Sequence, residues 1–237
     1  MCAIVAVLAA TLAADVDLGR TAAIVVDQTN AYRKQQDLPQ VKNNPQLQKA
    51  ADYFARYLAD RELEKDEDGL DHEADGQTPA ERTEQFGYEY CLVLENIAMY
   101  PSRQSYTEQS LADSLAQGWQ RSEHHRENLL DPDVLDTAVA IAQSKETGRY
   151  YAVQMFGRPE SARIEFSISN KAESDATYKV NGRAFTVKAG VTRTHTSCRP
   201  PSLLVDLGED RQKSLQPKAG DVFAVIGEEG KLRVERQ

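Results

Sequence analysis

The hydrophobic period of this chain changes once, at Gly157-Arg158-Pro159, and that change limits the fold more than any other feature. Before it, apolar residues recur at three- and four-residue intervals, interleaved with a few alternating runs. After it, only short alternating runs remain, so the chain reads as a mixed unit followed by an all-β one. At 237 residues either part is long enough to bury its own core.

Residues 18–36 carry Ala22, Ile24, Val25 and Tyr32 at helical spacing. Pro45 opens a second helix with the stripe Leu47, Ala50, Ala51, Phe54 and Leu58. Thr78-Pro79-Ala80-Glu81 is a capping box that starts a third, stopped by Gly87, and Leu111, Leu115 and Trp119 mark a fourth over residues 108–121. Strand-like runs cover 89–98, 135–142 and 150–156, the last two joined by a turn at Glu146-Thr147-Gly148. From residue 163 onward, runs at 164–168, 177–180, 184–187, 191–196, 203–205, 222–226 and 232–234 predict a small sandwich-like domain. Asn181-Gly182 forms a hairpin turn in it, with further turns at 218–221 and 228–230.

The densest chemistry lies in residues 117–130. Gln-Gly-Trp-Gln-Arg-Ser-Glu-His-His-Arg-Glu-Asn-Leu-Leu brings the sole Trp, two of the four His and two guanidiniums into a few helical turns. Upstream come Thr29-Asn30-Ala31-Tyr32-Arg33, then Asn44-Pro45, then His72 with Asp75-Gly76-Gln77-Thr78-Pro79, Gly87-Tyr88 and Glu95-Asn96-Ile97-Ala98. Downstream come Asp131-Pro132 and Tyr151-Ala152-Val153-Gln154-Met155-Phe156-Gly157. In this order and spacing the chain resembles the CAP superfamily (cysteine-rich secretory proteins, antigen 5, pathogenesis-related proteins), and within it the compact bacterial branch. The resemblance covers residues 22–158 and implies a three-layer α-β-α sandwich.

It also implies a cleft lined by two histidines and two acids. His72 matches the first histidine, Glu95 the first acid and His125 the second histidine. Ser122 stands where the animal branch places its second acid, and Glu123 and Asp136 are both candidates to replace it. Ser122 and Arg126 flank the cleft and join His72, Glu95 and His125 as expected ligand-binding residues. No residue is assigned a catalytic role. Two imidazoles and a carboxylate suit a divalent metal such as zinc, weakly bound, with His72, His125 and Glu95 as ligands. The remaining polar groups have structural readings: Trp119 in the core, Asn128 tying a helix end to backbone carbonyls, Asn30 and Arg33 bridging within the first helix. His124 reads as solvated, His195 as a strand-end surface histidine without a partner, and the acidic run 66–71 as a solvated loop.

The net charge of −9 disfavours nucleic acid and anionic lipid headgroups as partners. Residues 1–14 are uncharged and apolar, end in small residues and read as a secretory signal, with the mature chain starting near Ala14 and destined for secretion, the periplasm or the envelope. That run is too short to span a membrane. Cys91 and Cys198 are too few for a disulfide framework and are expected to be buried, inert thiols; pairing would need their Cα atoms within about 7 Å. No His-Glu-x-x-His, Gly-x-Ser-x-Gly, phosphate-binding loop or dinucleotide fingerprint is present. The expectation is an exported module that binds a small ligand, lipids included, or an extracellular or envelope protein, without turnover. The alternative is a metal-assisted protease or nuclease using His72, His125 and Glu95.

Overall fold

The computed structural model describes residues 15–61, 70–102, 106–227 and 231–237. The expected secretory signal and most of the acidic run lie outside the described residues, as does the turn at 228–230. In the first half, helix α1 (Leu18–Gln35) precedes strand β1 (Lys42–Asn43), helices α2 (Pro45–Arg61) and α3 (Pro79–Gln85), and strand β2 (Tyr90–Tyr100). Helices α4 (Glu108–Arg121) and α5 (Glu123–Leu129) then lead to strands β3 (Asp136–Gln143) and β4 (Tyr150–Pro159).

Capping explains where these helices start. Asp17 accepts the Arg20 N–H at the start of α1, and Asn44 accepts those of Gln46 and Leu47 ahead of Pro45. Thr78 and Glu81 form the reciprocal box that the sequence predicts. Thr107 and Ser110 form a second one on α4. Helix α4 ends at Arg121, as the sequence predicts; Ser122 is extended (φ −79, ψ 127), so the 117–130 stretch divides between α4 and α5.

The sheet runs β1-β3-β4-β2, parallel at β1/β3 and antiparallel elsewhere. Strand β4 is central and buried. Its Tyr151, Val153 and Met155 pack with Leu47, Phe54 and Leu58 of α2, while Ala152 and Phe156 face Val25, Leu111, Leu115 and Trp119 from α1 and α4. Helices therefore cover both faces of one sheet, giving the α-β-α layering that the resemblance implies. No described helix is long and apolar enough to cross a membrane.

After a 3-10 turn at Glu160–Ala162 come β5 (Ile164–Asn170), β6 (Ala176–Val180), β7 (Arg183–Val187), β8 (Thr192–Ser197) and β9 (Leu203–Gly208). Strands β10 (Arg211–Leu215), β11 (Val222–Ile226) and β12 (Arg233–Arg236) complete the chain. They form two four-stranded sheets, β10-β9-β6-β7 and β12-β11-β5-β8, around one core containing Phe166, Tyr178, Leu203 and Phe223. Asn181 and Gly182 take positive φ (48 and 79) in the two-residue turn between β6 and β7.

Two predictions about this half are corrected. Cys91 and Cys198 are bonded, with Cα atoms 5.3 Å apart, and neither is fully buried. The next residue, Arg199, reaches Asp131 and Asp133 at 2.7 Å each. A covalent bond and an ion-pair fork thus join the sandwich to the α-β-α half at adjacent positions. His195 is not a lone strand-end histidine. Its Nε2 lies 2.8 Å from the Tyr178 hydroxyl, and its ring stacks on Phe166 and meets Phe185 edge-on.

Candidate functional site

Strand β2 is an edge strand, and its consecutive residues Glu95 and Asn96 point to opposite faces of the sheet. Glu95 shares the α2 face with Val93 and Ile97; Asn96 shares the other with Leu94 and Ala98. Each side chain collects a different part of the expected site.

On the α2 face, Glu95 Oε1 is 2.7 Å from His72 Nδ1, and Oε2 accepts from the Arg82 guanidinium at 2.7 Å. Arg82 also donates to both Asp75 oxygens at 2.9 and 3.0 Å and to the carbonyls of His72 and Gln77. Its side chain is fully buried and lies 3.5 Å from the Phe54 ring centroid. The α3 capping box places Arg82 one turn into that helix, and Tyr57 holds the same loop through the Ala74 carbonyl. Arg82 is the central residue of the cluster and was not among the sequence candidates. The signal available was a cation one turn beyond the Thr78-Pro79 helix start, between Asp75 and Glu95 in sequence.

Burial pushes the Glu95 carboxyl above the usual carboxylate range, against the pull of the His72 hydrogen bond and the Arg82 charge. Burial also acts on Asp75, but hydrogen bonds and charge from Arg82 outweigh it and hold that carboxyl below its ordinary value. The His72 side chain is 42 % exposed, and its second ring nitrogen has no partner among the described residues.

On the edge and opposite face, α5 is tied to β2 through Asn128. Its amide donates to the Glu95 carbonyl at 3.1 Å and to Asn96 Oδ1 at 2.9 Å. Asn96 in turn donates to the His125 carbonyl at 3.1 Å. Trp119 is buried and directs its indole N–H toward the Ile97 carbonyl, 3.4 Å away on the same strand. Arg33 is also buried, and it fixes the end of α5 through the carbonyls of Leu129 and Asp131. Asn30 holds Val41, so both polar groups of α1 bridge to loops and not to each other.

Ser122 and Arg126 build the α4–α5 corner, where Arg126 donates to the Gln120 carbonyl. Of the replacement acids, Asp136 accepts from Tyr88 and Asn44, and Glu123 is exposed in the first turn of α5. His124 is exposed.

The structure thus joins His72 to Glu95 and adds Arg82 and Asp75, while α5 contributes His125 through its main chain. Among the described residues no three His, Cys, Asp or Glu side chains group in a way that could hold a metal. Both Glu95 oxygens are occupied, one by a permanent cation, so His72, His125 and Glu95 do not fit a three-ligand zinc site. A separate groove of about 540 Å³ lies between α1 and α2 at the outer edge of β3, lined by Leu18, Ala22, Val26, Asp52, Arg56 and Ile141 among others.

A family model described as the cysteine-rich secretory protein family, CAP, matches residues 26–156. The protein YkwD of Bacillus subtilis is 28 % identical over 135 residues, which span 56 % of this chain and 46 % of YkwD. An outer surface protein of Borrelia burgdorferi superposes with a TM-score of 0.52 at 18 % identity, covering 63 % of this chain and all of that protein. An extracellular SCP-domain protein of Bacillus anthracis gives 0.47 at 23 % identity, covering 59 % of this chain and 41 % of the other. The β5–β12 sandwich lies beyond the matched residues. With the family match spanning α1 to β4, and helices on both faces of the sheet that carries Glu95, this chain belongs to the cysteine-rich secretory protein (CAP) family.

Proposed function

We propose that this protein is an exported CAP module that recognises a ligand or an extracellular or envelope partner without chemical turnover. Its recognition surface comprises His72, Ser122, His125 and Arg126, with Glu95 as the internal support. The observation that carries this reading is the double engagement of Glu95, which commits one oxygen to the His72 ring and the other to a buried guanidinium. A carboxylate so committed holds His72 in one orientation, and a preoriented, partly exposed imidazole suits binding. Using Glu95 as a ligand or base through its Arg82-bound oxygen would leave the fully buried Arg82 guanidinium short of a partner.

Export is supported by the Cys91–Cys198 bond, which persists in oxidising compartments, and by the apolar residues 1–14. The name of the Borrelia burgdorferi relative places that protein on the outer surface. The test is hydrolysis of casein and of a single-stranded oligonucleotide by the full chain, with and without added zinc. The expected result is no cleavage that depends on His72. Zinc-stimulated cleavage abolished in His72→Ala would overturn the proposal.

A further inference from the structure

Residues 176–205 contain five Lys or Arg (Lys179, Arg183, Lys188, Arg193 and Arg199) and no Asp or Glu, in a chain whose net charge is −9. These thirty residues build β6, β7, β8 and the start of β9. Arg199 is spent on Asp131 and Asp133, so four cations remain, all exposed.

Two of them form a built arrangement. Strand β7 ends one sheet and β8 ends the other, so the seam between them is the open side of the sandwich. Along β7, Arg183 and Phe185 lie on the face that buries Val187; along β8, Arg193 and His195 lie opposite the buried Ile168 and Phe166. Both guanidiniums lie over Phe185, Arg183 at 5.4 Å and Arg193 at 4.7 Å from the ring centroid. Among the described residues neither has a carboxylate partner. Two acids of the same sandwich are engaged elsewhere, Asp206 accepting from Thr177 and Asp175 from the Ala189 N–H, and Glu165 pairs in register with Thr196, on the face of β8 away from Arg193.

Two guanidiniums held over one ring keep their outward N–H groups free for bidentate contacts to sulfate, carboxylate or phosphate. We propose that the β7/β8 seam is a binding site for an anionic polysaccharide, with Arg183 and Arg193 as its principal contacts and Lys179 and Lys188 flanking them. The ring that would stack a nucleobase is already covered by arginine, which removes the aromatic platform that single-stranded nucleic acids use. The site reverses locally what the net charge implies for the whole chain, and it is independent of the His72 cluster.

The test is heparin affinity chromatography and calorimetry on the full, oxidised chain at neutral pH and low salt. Wild type is retained despite its acidic charge. Arg183→Ala/Arg193→Ala lowers affinity by about tenfold, as expected for two exposed charge pairs, and Arg183→Glu/Arg193→Glu abolishes retention. Arg121→Ala, on α4, is unchanged. Matched thermal unfolding of the alanine pair shows that the loss is not misfolding. Wild type running through at low salt, equal retention of wild type and the alanine pair, or tighter binding of an oligothymidylate of matched charge would each overturn the assignment.

Discussion

Replacing Arg82 by Met keeps much of its volume over Phe54 but removes the charge shared by Glu95 and Asp75. Both carboxylates are essentially excluded from solvent (side chains 1 % and 0 % exposed), and five hydrogen bonds donated by Arg82 are lost, two of them to main-chain carbonyls. Breaking a buried ion pair by deleting one partner costs about 3–5 kcal/mol, because the remaining charge is left uncompensated. Partial relief comes from protonation of Glu95, whose carboxyl already sits above its usual range. The expected loss for Arg82→Met is therefore about 3 kcal/mol, the lower end of that range. Trp119, the sole tryptophan, is 1 % exposed in the α-β-α half, so its fluorescence during urea unfolding reports on this half. Glu95→Gln alone should also destabilise, but in the Arg82→Met background it removes an orphaned charge and should be nearly neutral. The coupling between the two changes should be about 1–3 kcal/mol. A loss below about 1 kcal/mol for Arg82→Met, or additivity within about 0.5 kcal/mol, would refute the shared-charge argument.

Three further outcomes are expected. We propose that residues 18–158 and 163–237 fold as separate units; a protease nick at 158–163 should leave the pieces joined on non-reducing gels and separate them after reduction, and Cys91→Ser should cost about 2–4 kcal/mol of stability. Burial, with the Arg193 charge, lowers the His195 pKa below its ordinary value. The unfolded chain therefore binds that proton first, so the sandwich keeps this contribution above about pH 6.5 and loses it as pH falls through the folded value. A thermal midpoint that falls below pH 6.5 in wild type but falls less in His195→Phe would show this, whereas parallel profiles would refute it. Gly157→Ala drives a methyl group against the Tyr88 ring, which is anchored to Asp136, and should destabilise by about 1–3 kcal/mol in the same urea assay; an unchanged midpoint would contradict the packing.

Local signals were legible in the sequence and long-range partnerships were not. Pro45, the Thr78–Glu81 box and the Leu111/Leu115/Trp119 stripe specify helices through neighbours within four residues, and Asn181-Gly182 specifies its hairpin in the same way. Strand β10 escaped because Arg211–Leu215 is almost wholly exposed and has no alternation to read, and β1 because it is two residues long. The family pattern pointed to His72 and Glu95, which meet in the fold. It did not point to Arg82, whose partners come from a loop, a strand and the ring of Phe54 on α2. The Cys91–Cys198 bond joins residues 107 positions apart and depends on how the sandwich docks, which no spacing encodes. His195 likewise takes its partners from β5, β6 and β7.

Calorimetric titration of zinc decides whether Glu95 is committed inward by Arg82 and His72 or closes a metal site with His125. Wild type, His72→Ala, His125→Ala and Glu95→Gln should be compared at pH 7.5 and pH 5.5. His125→Ala and wild type should behave alike at both pH values, with any weak zinc uptake confined to the partly exposed His72 imidazole. Tight zinc binding in wild type that is lost equally in all three variants and weakens at the lower pH would contradict this expectation.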